Sequence, residues 1–458
     1  MSEIKNRVLL LNVVGLTPGG IGENTPHIKR FVDEHVSRTL EPPLPAVTCS
    51  SQATMTTGSL PNEHGIVSNG WYFRELGDVK FWCRSDHLVG GEKIWEAAKQ
   101  RDPSIRTANM FWRYCTHADC HITCMERPTY WANGRKGPDV YTEPAGLRDE
   151  LVEKFGEFPL FRFWGPATSI ESSRWIADAT LHVMESQDPH LVLCYLPHLD
   201  YDVQKFGPDS PEAAAAHREV DAEAGKLIDK AKELGYDIAI VSEYGMTKVS
   251  KPVYLNRVLR EAGYVRVQSA QNGELLEPGG SRAFAACSHQ VAHVYVRHPE
   301  DLSKVKQLLE SVDGVERVLD DVGKREFGLD HTRSGELIAI ADPNAWFAYP
   351  YWLDDAKAPD FAHCVAIHDK PGHDPAEMFL GPKGKLHVIK RVVQMKLGIR
   401  VPFDVISLDA TKIKGSHGRL PDCDKNRPVL LTTWDFEGDE HVPMTEVKGI
   451  VLKRMFHD

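Results

Sequence analysis

Three short apolar runs constrain this chain most. Arg7 to Val14 is an apolar run from Val8 onward, interrupted by Asn12, and it ends in Gly15-Leu16-Thr17-Pro18-Gly19-Gly20. Leu191 to Leu196 and Ile238 to Ser242 read the same way. Such runs, bounded by turn residues, predict strands buried on both faces, as in a parallel sheet. Helical stretches precede the last two, Ser173 to Gln187 and then Glu212 to Leu234. That alternation predicts a doubly wound α/β core, with mostly parallel strands and helices on both faces. Ligands in such sheets sit beyond the C-terminal ends of the strands. The polar loops after Val14, Leu196 and Ser242 are therefore site candidates.

The chain has 458 residues, enough for one large domain with insertions or for two to three domains. Residues 1–251 are expected to hold the first part of the core, and 252–365 an inserted α/β cap lobe. Residues 366–458 are expected to return to the core. Within the first part, 111–166 is rich in aromatics, Cys and Pro and reads as an irregular subdomain or cleft wall. A net charge of −11 argues against a nucleic-acid polymer or an anionic membrane surface as partner. No run approaches the length of a membrane span, and no secretory signal is evident. Nine cysteines, an odd count over this length, fit reduced thiols and a cytoplasmic protein. A homodimer is left open.

The segment Pro45-Ala46-Val47-Thr48-Cys49-Ser50 runs on through Thr57-Gly58-Ser59-Leu60-Pro61-Asn62-Glu63-His64-Gly65-Ile66-Val67-Ser68-Asn69. Thr48 heads a predicted helix, and a lone Thr there would ordinarily be an N-cap. The whole stretch resembles the type I phosphodiesterase / nucleotide pyrophosphatase branch of the alkaline phosphatase superfamily. That resemblance implies a Thr48 nucleophile, with Asn69 on the phosphoryl oxygens. It also implies an alkaline-phosphatase-like fold and two metal ions bridging the reaction.

The ligand positions depart from the pattern. Where relatives end the first strand in Asp-Gly, this chain has Val14-Gly15. In Asp200-Tyr201-Asp202-Val203-Gln204, Asp200 keeps the acid and Gln204 replaces a His; His198 and Asp202 stand beside it. In Ser242-Glu243-Tyr244-Gly245-Met246, Glu243 replaces Asp and Tyr244 replaces His. Gly415-Ser416-His417-Gly418 is intact. The resemblance thus implies one divalent ion rather than two, zinc or manganese, held by Asp200 and His417 with help from Glu243 or His198. A metal-free site is the alternative.

Further candidates are His368 and Lys370 in a His-x-Lys-Pro-Gly element, and His331 in the polar turn Leu329 to Glu336, all as substrate contacts. His289 and His293 read as structural. Cys115 to Cys124 lacks paired Cys-x-x-Cys spacing and reads as isolated buried thiols. The aromatic segment from Phe111 to Trp164 could stack on a flat group. The implied function is hydrolysis or transfer of a small phosphoester, with Glu243 as ligand or base and Tyr244 as hydrogen-bond donor. Two rivals remain: a binding scaffold that has lost catalysis, and an esterase or transferase of a specialised biosynthetic pathway.

Overall fold

The structure, a computed structural model, describes residues 4–132 and 136–457. A nine-stranded sheet forms the core. Its strand order is His441–Pro443, Val36–Glu41, Val429–Thr432, Tyr236–Val241, Arg7–Val13, Leu191–Leu196, Thr107–Met110, Ile122–Glu126, Val140–Glu143. The strands from Tyr236–Val241 through Ile122–Glu126 are mutually parallel. Val429–Thr432 and Val140–Glu143 run antiparallel to their inner neighbours. Arg7–Val13 lies between Leu191–Leu196 and Tyr236–Val241, so the three polar loops predicted as site candidates emerge side by side.

The apolar runs are buried as their lack of alternation predicts. Val8 through Leu11, Val13 and Val14 have no exposed surface. Each fully buried Val or Leu of this kind stabilises the core by about 1.5–3 kcal/mol. Helices Pro26–Glu34, Glu171–Gln187 and Pro211–Glu233 form one covering layer, and Thr48–Thr57, Ile94–Arg101 and Val447–Phe456 pack together as another.

Part of the aromatic-rich segment 111–166 belongs to the sheet itself. Ile122–Glu126 is buried at every position and pairs with Thr107–Met110, and Val140–Glu143 closes that edge. Irregular composition hid these strands, because Cys124 and Thr123 fill core positions where Val or Ile would be expected. The Cys115, Cys120 and Cys124 thiols are buried and free, and burial pushes all three above the usual thiol range.

A second sheet of four antiparallel strands lies within residues 283–341, in the order Ala283–Ser288, Val291–Val296, Leu337–Ala341, Val315–Leu319. Helix Leu302–Glu310 packs on Val315–Leu319, and the lobe has a hydrophobic core of its own, from Val253 to Ala362. His293 lies on a strand, as expected, with Nε2 on the Val67 carbonyl at 3.0 Å and Nδ1 accepting from Gly335 N at 3.2 Å. His289 sits in the turn between the first two strands with φ of +58°. That left-handed conformation costs a non-glycine residue energy, and such strain concentrates at functional sites.

Candidate active site

Thr48 is the first residue of helix Thr48–Thr57, and Val47 is the N-cap. The N-cap reading of Thr48 therefore fails: its Oγ1 lies 3.1 Å from the Tyr244 hydroxyl and caps no backbone N–H. The Tyr244 hydroxyl donates onward to Asp200 Oδ1 at 3.0 Å. Since the phenol has one proton and gives it to Asp200, the Thr48 hydroxyl is the donor to Tyr244. A directional chain results, Thr48 to Tyr244 to Asp200. The helix is buried at every residue and stops at Gly58, whose φ of +74° is the left-handed C-cap that glycine takes without penalty.

Asn69 reaches the same helix start. Its Oδ1 accepts from Cys49 N at 3.0 Å, and its Nδ2 is buried without a partner. A buried, unpaired amide N–H costs free energy until something accepts from it. Beside a helix N-terminus, that arrangement suits an anion.

Glu243 is fully buried. Its Oε1 accepts from Asn12 Nδ2 at 2.7 Å and from Gln52 Nε2, while Oε2 has no partner. Burial pushes its carboxyl up to about 8, against the opposing pull of Gln52, Asn12 and Thr48. Burial also raises Asp200, to about 6, with Tyr244 and Gln204 holding it down. Burial thus favours the neutral acid more strongly at Glu243 than at Asp200. That state disfavours the expected role of Glu243 as base toward Thr48. Gln52 and Asn12 were not picked out from the sequence. Gln52 also accepts from Arg113 N at 2.6 Å, linking Glu243 to the Arg113–Glu126 ion pair at 2.8 Å.

His417 stacks flat on Tyr244, with ring centroids 3.5 Å apart and planes at 5°. Its Nδ1 donates to the Ala46 carbonyl at 2.9 Å, so Nε2 is the bare nitrogen; it lies 3.6 Å from Asp200 Oδ1. The His289 ring lies 3.7 Å from that of His417, and His373 lies 4.1 Å from His289. Burial holds all three imidazoles neutral, with His417 and His373 down to about 3. The lobe thus delivers His289 into the site from a strained turn, and no sequence pattern marks it.

The other candidates fall outside this bonded set. His198 gives Nε2 to Glu219 at 2.8 Å, and its Nδ1 is buried without a partner. Lys370 is buried between Asp374 at 2.7 Å and Glu377 at 2.8 Å. Glu377 in turn accepts from Trp164 Nε1 at 2.6 Å, and the Trp164 ring stands 5.3 Å from His373. Lys370 therefore braces the wall that carries Trp164. His368 lies between the Phe81 carbonyl and Arg84, each at 3.2 Å. His331 packs at Gly65, where Arg333 holds the Gly65 and Leu88 carbonyls. Most rings of the aromatic segment fill the core, Phe111, Trp112 and Phe158 among them; Trp164 is the one beside His373.

The donor set does not fit a two-ion centre. Val14 is a buried core residue, and Tyr244 lies flat on His417 with its oxygen bonded to Thr48 and Asp200. Gln204 is buried beside Asp200 and offers only an amide. Asp200 and His417 are together, but among the described residues no group of three or more His, Cys, Asp or Glu is placed to hold a metal ion. A divalent transition ion ordinarily takes four ligands.

Comparison with known proteins agrees with this architecture. An uncharacterized pyrophosphatase/phosphodiesterase of Schizosaccharomyces pombe is 27% identical over 243 residues, 49% of this chain and 41% of that protein. Human ectonucleotide pyrophosphatase/phosphodiesterase family member 1 is 24% identical over 243 residues, 50% of this chain and 22% of that one. The chain thus matches less than half the length of these two relatives. Among solved structures, phosphonoacetate hydrolase from Sinorhizobium meliloti superposes with a TM-score of 0.62 over 99% of this chain and 96% of that one, at 14% identity. Murine ectonucleotide pyrophosphatase/phosphodiesterase 5 gives 0.59 over 98% and 95%, also at 14% identity. Both share the alkaline-phosphatase-like fold. The family model for type I phosphodiesterase / nucleotide pyrophosphatase matches residues 8–372, and the chain belongs to that family.

Proposed function

We propose that the protein cleaves or transfers a small phosphoester, of the phosphodiester or nucleotide pyrophosphate type, through Thr48. The observation that carries this reading is the bonded chain from Thr48 through Tyr244 to Asp200. Thr48 Oγ1 attacks phosphorus as its proton passes to the Tyr244 oxygen and the Tyr244 proton passes to Asp200. The bond from phosphorus to the leaving oxygen breaks, leaving a phosphoryl-threonine. Asn69 Nδ2 and the helix start stabilise charge on the equatorial oxygens. In the second half-reaction water, or an acceptor alcohol, adds to phosphorus, and its proton passes through solvent to neutralise the oxyanion expelled in the first. Thr48 Oγ1 then leaves and takes back a proton from Tyr244, which recovers one from Asp200.

No step is routed through a metal ion, because Val14, Gln204 and Tyr244 leave too few donors. Tyr244 stands where relatives carry a metal-binding His, and in this reading it carries the proton itself. The nine unpaired cysteines support a reducing compartment, and we place the protein in the cytoplasm.

The test is turnover of a nitrophenyl phosphodiester, followed by intact-mass detection of a phosphoryl adduct on Thr48. A burst of nitrophenol with the matching adduct is expected. Turnover unaltered in Thr48→Ala would rule out the nucleophile. Absence of turnover and adduct across a panel of phosphodiesters and nucleotides would favour the scaffold reading.

A further inference from the structure

Helix Gly384–Lys396 has no buried residue. It stands on an excursion whose stem is closed by Gly381 N to Val405 O at 2.8 Å and Ser407 N to Phe379 O at 3.0 Å. Its inner side is polar. Asp404, on the returning arm, takes His387 at 2.9 Å, Arg391 at 2.6 Å and Lys383 at 3.0 Å. Its outer side is apolar: Leu386 is 82% exposed, Ile389 58%, Val393 49% and Leu397 72%. Spacings of three, four and four residues put these four on one face. An ordinary surface helix is oriented the other way round.

The charge around this face is equally unlike the rest of the molecule. Residues 383–400 carry Lys383, Lys385, Lys390, Arg391, Lys396 and Arg400, with no Asp or Glu among them, in a chain of net charge −11. Lys383 and Arg391 are bonded to Asp404. Lys385, Lys390, Lys396 and Arg400 have no carboxylate partner among the described residues.

These features select the occupant. Two-fold pairing with a second copy would bring two identical cationic rows together, and like charges repel. Contact with the acidic surface of another copy would be head-to-tail and would not close. An anionic bilayer surface suits both features at once: the apolar row enters the headgroup–acyl boundary and the long basic stems lie along its rim. The helix spans about 20 Å, too short and too charged to cross a bilayer, and no helix among the described residues is long and apolar enough to do so.

We propose that helix Gly384–Lys396 docks in the plane of an anionic lipid surface. This departs from the sequence expectation of no membrane partner, which rested on net charge and so averaged out a local cationic, apolar patch. It is independent of the reaction at Thr48.

The test is flotation of the full chain with phosphatidylcholine vesicles and with phosphatidylcholine–phosphatidylserine vesicles. Binding to the serine-lipid vesicles is expected to be at least about tenfold tighter and to weaken with added salt. Leu386→Ser with Val393→Ser, and separately Lys385→Gln with Lys390→Gln and Lys396→Gln, should each lower it about tenfold or more. Thermal melting should stay unchanged, because none of these side chains is packed. Equal partitioning to both vesicle types would overturn the proposal, as would undiminished binding by the serine variant. A dimer in gel filtration that the serine variant abolishes would also overturn it, assigning the face to self-association.

Discussion

Around Thr48 the interior holds Glu243, Asp200, Tyr244, His417, His289 and Asn69, groups that ordinarily face water. On helix Gly384–Lys396 the exterior holds Leu386, Ile389, Val393 and Leu397, groups that ordinarily avoid it. Both regions break the rule that apolar side chains go inside, in opposite directions. In the first the cost is offset by mutual hydrogen bonds, although Asn69 Nδ2, Glu243 Oε2 and His417 Nε2 stay unpaired. In the second no described residue covers it. Unpaired polar groups in an interior point to a small polar ligand, and an uncovered apolar row points to a large apolar one. The chemistry of what is left unsatisfied identifies the class of partner.

The interior half of this comparison breaks most sharply at Thr48. Thr48→Ala should lower phosphodiester turnover by about 10⁴-fold or more, read by nitrophenol release. Tyr244→Phe removes the hydroxyl that links Thr48 to Asp200 while keeping the ring stacked on His417. It should cost about 10²–10³-fold in kcat with little change in melting temperature. Activity in wild type should fall as the pH drops through about 6, where Asp200 takes up its proton. Asp200→Asn should lose both the turnover and that acidic limb.

Val14→Asp tests whether the interior is still built for metal. A carboxylate in the packed core should destabilise the protein by about 3 kcal/mol or more in denaturant melts. Zinc should not restore it; recovery of stability on adding zinc would show that an ion centre survives there.

Glu243 offers a smaller effect that needs no substrate. Its carboxyl is raised from 4.5 to about 8 in the folded protein, so the folded state binds its proton more tightly than the unfolded state does. That stability is fully present below about pH 4.5 and is lost as the pH rises through about 8. Glu243→Gln should therefore flatten the fall in melting temperature between pH 6 and 9, a difference of about 1–3 kcal/mol. An identical pH profile in the variant would show that Glu243 is ionised when buried.

On the exterior the expected change is the smallest. Leu386→Ser with Val393→Ser should shift stability by no more than about 0.5 kcal/mol in the same melts. A larger loss would mean that this face is packed in solution and would remove the contrast.

How much of this was legible beforehand depends on the range of the interaction. The strands over Arg7 to Val14, Leu191 to Leu196 and Ile238 to Ser242 are legible because a dense apolar run bounded by turn residues has few other outcomes. Thr48 and Asn69 were readable because a long motif fixes both near one helix start. Ile122–Glu126 is not legible because a thiol, Cys124, and a threonine, Thr123, carry part of its packing. Asn12 and Gln52 were missed because an amide on a strand or in a helix has no pattern until its partner is known. The outward face of Gly384–Lys396 could be read as a periodicity, but its direction could not.

The sequence by itself determined a doubly wound core, the position of Thr48 at a helix start, and the residue types Val14, Gln204 and Tyr244 where the family resemblance implies metal ligands. Those are local or motif-length facts, carried by hydrophobic period and residue type. The tertiary structure alone decided that Tyr244 joins Thr48 to Asp200, that Glu243 is buried on the amides of Asn12 and Gln52, and that a lobe turn brings His289 onto His417. Each of these depends on groups distant in the chain meeting at ångström range in a dry interior, where distance and desolvation set their charge and their bonding.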